Sequence, residues 1–217
     1  MKLKESVKGR LISDARAKLQ RAQELHGRLA VDGAWAHGPG FRRLINADRR
    51  DVATFIFFEV AAHYESFCHD AFTLEVRKKF AVEPGRAQYL LGSADKGAAN
   101  IMGWGAPDVI VGRAQNLFGR KGFFSSLELA VGNVVYQRLG YAHKVRNRIA
   151  HSGGSAMRAY RAILGGLGIP ASARKGLGVG RLLMDYPANA ATNDRWFARF
   201  LAAYAAVING FDVTFRV

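Results

Sequence analysis

Residues 125–154 read SSLELAVGNVVYQRLGYAHKVRNRIAHSGG. Apolar side chains recur at Leu127, Val131, Val134, Val135, Leu139, Ala142, Val145 and Ile149. Spacing of three and four residues is the period of an amphipathic helix, not the alternation of a half-buried strand. Ser125 and Glu128 have the spacing of a capping box that opens the helix. Arg146, Arg148 and His151 crowd its far end, where cations meet the negative pole of the macrodipole. Gly153 and Gly154 lie just beyond, where a helix takes its C′ residue. Gly132 and Gly140 inside the helix each cost about 1 kcal/mol relative to Ala. Close approach of a neighbouring helix is the expected reason.

Helical periodicity continues on both sides. Residues 3–30 carry Leu3, Val7, Leu11, Ala15, Leu19, Ala22, Leu25 and Leu29 on one face, and GAWAHGPG at 33–40 breaks that helix. A long second helix runs from near Asp48 to about Phe80, with Val52, Phe55, Ile56, Val60, Phe67, Ala71 and Leu74 facing a core, and Pro84 ends it. A short helix is expected near 85–91. Pro107 suits the first turn of a helix over 107–118 and Gly119 its C-cap. Further helices are expected over 155–165 and 193–210, the latter capped by Thr192 or Asn193, with FDVTFRV as a short extended tail. Residues 165–190, rich in glycine, read as a long loop with a short strand or hairpin. The fold class is therefore all-α, and nothing marks a boundary between two domains over 1–217.

Lys and Arg number 32 against 17 acids, a formal charge of +15. Such a field favours polyanions, above all nucleic acid, over a merely solubilising surface. Cys68 is the only cysteine, which excludes a disulfide framework within the chain and a cysteine-based zinc site. MKLKESVKGR lacks the apolar core of a signal peptide, and FLAAYAAVI at 200–208 is far short of a membrane span. A cytoplasmic location with no membrane association is the expectation.

Three constellations bear on chemistry. GLGVGR at 176–181, beside Arg174 and Lys175, resembles a phosphate-cradling loop only superficially: no Gly-Lys-Ser/Thr follows and no strand precedes it. His63 and His69 sit roughly 240° apart around one helix and cannot share a metal from one face. YESF at 64–67 places Glu65 between two aromatics, either as an exposed acid or as a carboxylate aimed at a basic site on a neighbouring helix.

The third is RNRIAH at 146–151. On a regular helix Arg146 and His151 are about 140° apart with a rise near ~7.5 Å, whereas Asn147 and His151 share a face. Cooperation between Arg146 and His151 therefore requires the helix to loosen near His151, or the groups to act across a shared cleft. A neutral imidazole can take or give a proton. A guanidinium can hold a phosphate and stabilise a pentacoordinate transition state. If RNA supplies its 2′-OH as nucleophile, neither metal nor organic cofactor is needed. The products would be a 2′,3′-cyclic phosphate and a 5′-OH, and DNA would be spared.

Arg-Asn-Arg-Ile-Ala-His resembles the R-x4-6-H signature of HEPN (higher eukaryote and prokaryote nucleotide-binding) domains, including the Asn after the Arg. RN-x-x-AH followed by a small residue and Gly is most similar to the ribonuclease-type members, such as the RiboL-PSP-HEPN group. YESF is similar to an aromatic-Glu-x-aromatic stretch on an earlier helix of these proteins, and APDVIVGRAQNLFG has a similar look. The resemblance spans roughly residues 45–165 and implies a HEPN-like bundle with extra N- and C-terminal helices. It further implies a metal-independent endoribonuclease, often a toxin or antiviral effector, with two motifs facing one another across a homodimer. Arg146 and His151 would be the catalytic pair and Asn147 would shape the site. Glu65, with Glu59 as its rival, would orient Arg146 or His151. Some relatives place Tyr two positions after the His; Gly153 stands there, so that role is not inferred. Restraint of a toxin would come from a separate protein. The alternatives are a non-catalytic HEPN-fold module that binds RNA or a protein partner, and a general DNA-binding protein.

Overall fold

The computed structural model describes residues 2–30, 45–94, 103–189 and 194–215. The chain is all-α. Its helices among these residues are α1 (Lys2–Ala30), α2 (Asn46–Phe80), α3 (Pro84–Ala94), α4 (Pro107–Phe118), α5 (Leu127–Val131), α6 (Asn133–Ala150), α7 (Gly154–Ile163), α8 (Ala171–Arg174), α9 (Val179–Asp185) and α10 (Trp196–Thr214). Two short strands, β1 (Pro187–Asn189) and β2 (Asp194–Arg195), pair antiparallel. The expected break at 33–40 and the expected cap at 192–193 lie outside the described residues.

Packing groups the chain into two compact units. One comprises Met1–Lys18, Ala62–Gly140 and Ala203–Val217; the other comprises Leu19–Ala61 and Tyr141–Ala202. The divisions fall inside α1, α2, α6 and α10, so no linker marks them in the sequence.

Several expectations need correction. Pro84 does not end α2: the helix stops when Ala81 turns to a φ of 52°, and Pro84 is the first residue of α3. Phe55 is 64% exposed, off the core face assigned to it. FDVT is not an extended tail but the last turn of α10. The continuous helix read over 125–151 is interrupted at Gly132, whose φ of 84° ends α5 with its N–H on the Glu128 carbonyl. Nothing lies within 4 Å of a Cβ built at Gly132, so glycine is there for its left-handed backbone and not for a close neighbour. Ser125 makes no capping box: its Oγ donates to the Gly122 carbonyl at 3.1 Å within a 3-10 turn, Phe124–Ser126.

The first unit is built on an aromatic cluster. Phe72 meets Trp104, Phe118 and Phe124, and Phe124 meets Phe211, with centroids 5.2 to 5.9 Å apart. Each such pair adds about 0.5–1.5 kcal/mol beyond the area it buries. Glu75 is buried beside it and accepts the Phe123 N–H at 2.5 Å. A Cβ at Gly122 would lie 2.7 Å from that carboxylate, so glycine is required. Burial pushes the Glu75 pKa up, and the two amides oppose the shift.

The second unit packs Phe57 against Phe197 and Phe200, and His26 stacks on Phe197 at 4.0 Å. The stretch read as a loop holds α8 and α9, because Val179, Leu182, Leu183 and Met184 supply a short buried face. A Cβ at Gly180 would lie 2.6 Å from the Arg50 carbonyl. That glycine lets α9 approach the first turns of α2.

Candidate functional site

α6 stays regular to its end. Its last ladder bond runs from the His151 N–H to the Asn147 carbonyl at 3.0 Å. The helix therefore does not loosen before His151, and one of the two routes to cooperation with Arg146 is closed. Gly153 and Gly154 do not form a left-handed C-cap. Gly153 has φ −63° and ψ 157° and is the N-cap of α7, a position where glycine is also favoured.

The three basic residues of RNRIAH divide by what they touch. Arg148 caps the helix: its Nη1 donates to the His151 carbonyl at 3.1 Å. A cation on the final carbonyls is what the macrodipole favours. His151 is exposed. Arg146 is half-buried; its guanidinium lies 5.5 Å from the Phe58 ring centroid, and its Nη1 donates to Asn147 Oδ1 at 3.3 Å. A guanidinium over an aromatic face is held in orientation as well as position.

Asn147 carries the arrangement one step further. Its Nδ2 is 2.9 Å from His143 Nε2. Arg146 can only donate, so Asn147 Oδ1 faces it and the amide N–H is left for His143. His143 Nε2 is then the acceptor and Nδ1 carries the proton. Burial, with the charges of Arg146 and Lys144, lowers the His143 pKa, which keeps the ring in the neutral form that this bond needs.

His143 is the residue that reading the sequence for Arg-x4-His missed. The signal was present: His143, Arg146 and Asn147 stand at i, i+3 and i+4 on one face of α6. The same i+4 rule was applied forward, from Asn147 to His151, and not backward.

Glu65 is 7% exposed, which rules out the exposed-acid reading, whereas its rival Glu59 is exposed. Glu65 belongs to the first unit and residues 143–151 to the second. Around Glu65, Tyr64 stacks on Tyr204 at 4.1 Å, and Cys68 is fully buried. Burial, aided by the Glu65 charge, pushes the Cys68 thiol up to about 12, so it is inert as a nucleophile.

Among the described residues, no three His, Cys, Asp or Glu side chains gather into a metal-binding group. No helix among them is long and apolar enough to cross a membrane. Compared with protein-family models, with curated proteins and with solved structures, the chain matches none.

Proposed function

We propose that this chain is a metal-independent endoribonuclease of the HEPN type, a toxin or antiviral effector restrained by a separate protein. The observation that carries the reading is one helix end that combines an oriented guanidinium, Arg146, with an exposed imidazole, His151, on a chain of net charge +15. In this mechanism the 2′-oxygen of RNA attacks the adjacent phosphorus. One histidine takes the 2′-OH proton, Arg146 stabilises the charge gathering on the phosphoryl oxygens, and the P–O5′ bond breaks. A second imidazole returns a proton to the departing 5′-oxygen. His143 is not free for that task because its Nε2 is occupied by Asn147. The second imidazole is therefore His151 of another copy, and the working unit is a homodimer with a composite cleft. Asn147 positions Arg146. Glu65 carries over from the resemblance as the supporting acid, and its conversion to Gln should lower the rate.

The test is the chemistry of the ends. In EDTA the purified protein should cut RNA and leave DNA intact, giving 2′,3′-cyclic phosphate and 5′-OH termini, and its mass in solution should be that of a dimer. Products with 5′-phosphates would overturn the transesterification. Binding of RNA without cleavage would leave the non-catalytic binding module as the reading.

A further inference from the structure

Residues 174–181 do more than connect helices. With parts of α2, α6 and α7 they line a cavity of about 500 Å³ within the second unit. Its walls carry five arginines, Arg50, Arg148, Arg161, Arg174 and Arg181, and Asp51 is the one carboxylate among the lining residues. Asp185, just outside, accepts Arg50 Nη2 at 2.6 Å and lies 3.7 Å from Arg181 Nε. Two acids thus oppose five guanidinium groups, leaving an excess of three positive charges. Arg174 donates to the Ile169 carbonyl at 2.7 Å and Arg148 to the His151 carbonyl at 3.1 Å. These neutral acceptors fix the geometry of the two side chains without cancelling their charge.

Tyr160 supplies an independent sign. It lines the same cavity and is 1% exposed, and its hydroxyl has no hydrogen-bond partner among the described residues. The buried Nε of Arg50 also lacks one. A buried donor left unmet is costly unless something arrives to meet it. Like charges gathered around a concave, partly desolvated space repel one another, and the arrangement favours an anion. Guanidinium forks match phosphate oxygens two at a time.

We propose that this cavity is a binding pocket for a ligand bearing two or more phosphate groups. An excess of three charges suits a polyphosphate, or consecutive phosphates of a strand, better than a single anion. A nucleoside polyphosphate and an RNA backbone both present that chemistry. The pocket goes beyond the ribonuclease reading and stands without it, because none of its contacts requires His151 to be catalytic.

The experiment is calorimetric titration of the full chain at low salt with three probes: pyrophosphate, ATP and a 2′-O-methyl RNA hexamer that cannot be cleaved. Wild type is compared with Tyr160→Phe and with the Arg161→Gln/Arg181→Gln double variant, each checked for an unchanged thermal melt. The double variant should weaken binding of the phosphate probe by about tenfold or more, and Tyr160→Phe by a smaller factor. Loss confined to pyrophosphate and ATP assigns the pocket to a nucleotide; equal loss for the hexamer assigns it to a strand. Tyr160→Phe, which removes only an unpartnered hydroxyl, keeps the test alive if the double variant does not fold. No binding of any probe to wild type, or equal binding by wild type and the folded variants, would overturn the proposal. Cleavage is not measured, so a failed ribonuclease reading leaves this result intact.

Discussion

Asn147 Nδ2 donates to His143 Nε2 across 2.9 Å, and that bond decides which imidazole nitrogen carries the proton. The opposite end of the same amide faces Arg146. One side chain therefore couples the protonation of a histidine to the placement of an arginine. Asn147→Asp exchanges the donor for an acceptor. His143 must then be protonated to keep the bond, so its pKa should move from below the ordinary value of 6.5 to above it. Imidazole resonances followed by NMR across pH would report the change. An unmoved His143 titration would mean that the Asn147 contact does not set its state. Asn147→Ala, which releases Arg146, should slow RNA cleavage by about 10- to 100-fold.

Gly132 and Gly140 stand eight residues apart in a segment whose apolar pattern runs through both, yet their substitutions should have opposite signs. Gly132 has φ 84°, so Ala there should cost about 1–2 kcal/mol. Gly140 is inside α6, and an added Cβ would meet only Pro107 Cγ at an ordinary 3.9 Å. Gly140→Ala should stabilise by about 0.5–1 kcal/mol. Urea unfolding of the two variants measures both, and the same sign for both would contradict this account of the helix break.

These two glycines show where the sequence was legible and where it was not. The periodicity that gives α1, α2, α4, α6, α7 and α10 is a repeated burial pattern, and it can be read because many positions agree. The break at Gly132 is decided by one residue's backbone, while Val131, Val134 and Val135 continue the pattern across it. α8 and α9 went unread because four and seven residues are too few to establish a period among so many glycines. Glu75, which holds the Phe123 amide, is invisible to periodicity because its partner is 48 residues away. At the candidate site, Arg146, Asn147 and His151 were legible as a motif. His143 and Phe58, which fix Arg146 and Asn147, belong to the packing around it. The identity of Arg148 as a cap follows only from where its guanidinium ends.

His26 gives the fold a dependence on acid. It is buried, stacked on Phe197, and its pKa falls from 6.5 to about 4, first through burial and then against an opposing hydrogen bond to the Leu183 backbone. The folded state thus binds this proton less readily than the unfolded chain. Its contribution is fully present above pH 6.5 and is lost as pH falls from there towards 4, on the order of 3 kcal/mol in all. The lowered His143 pKa acts in the same direction. Thermal melts at a series of pH values should show the loss, and His26→Phe, which keeps the stacked ring without the titration, should flatten part of it. A wild-type melting temperature that is level over this window would contradict the assignment.

The central claim is that the end of α6 performs catalysis and is not only a capped helix terminus. The most direct measurement is the single-turnover rate of RNA cleavage in EDTA by wild type and by His151→Ala purified identically. The exposed His151 makes no contribution to the core, so the variant should fold with an unchanged melt and lose at least about 100-fold in rate. Equal cleavage by the two proteins would contradict the claim and return VRNRIAHSGG at 145–154 to the role of a helix end.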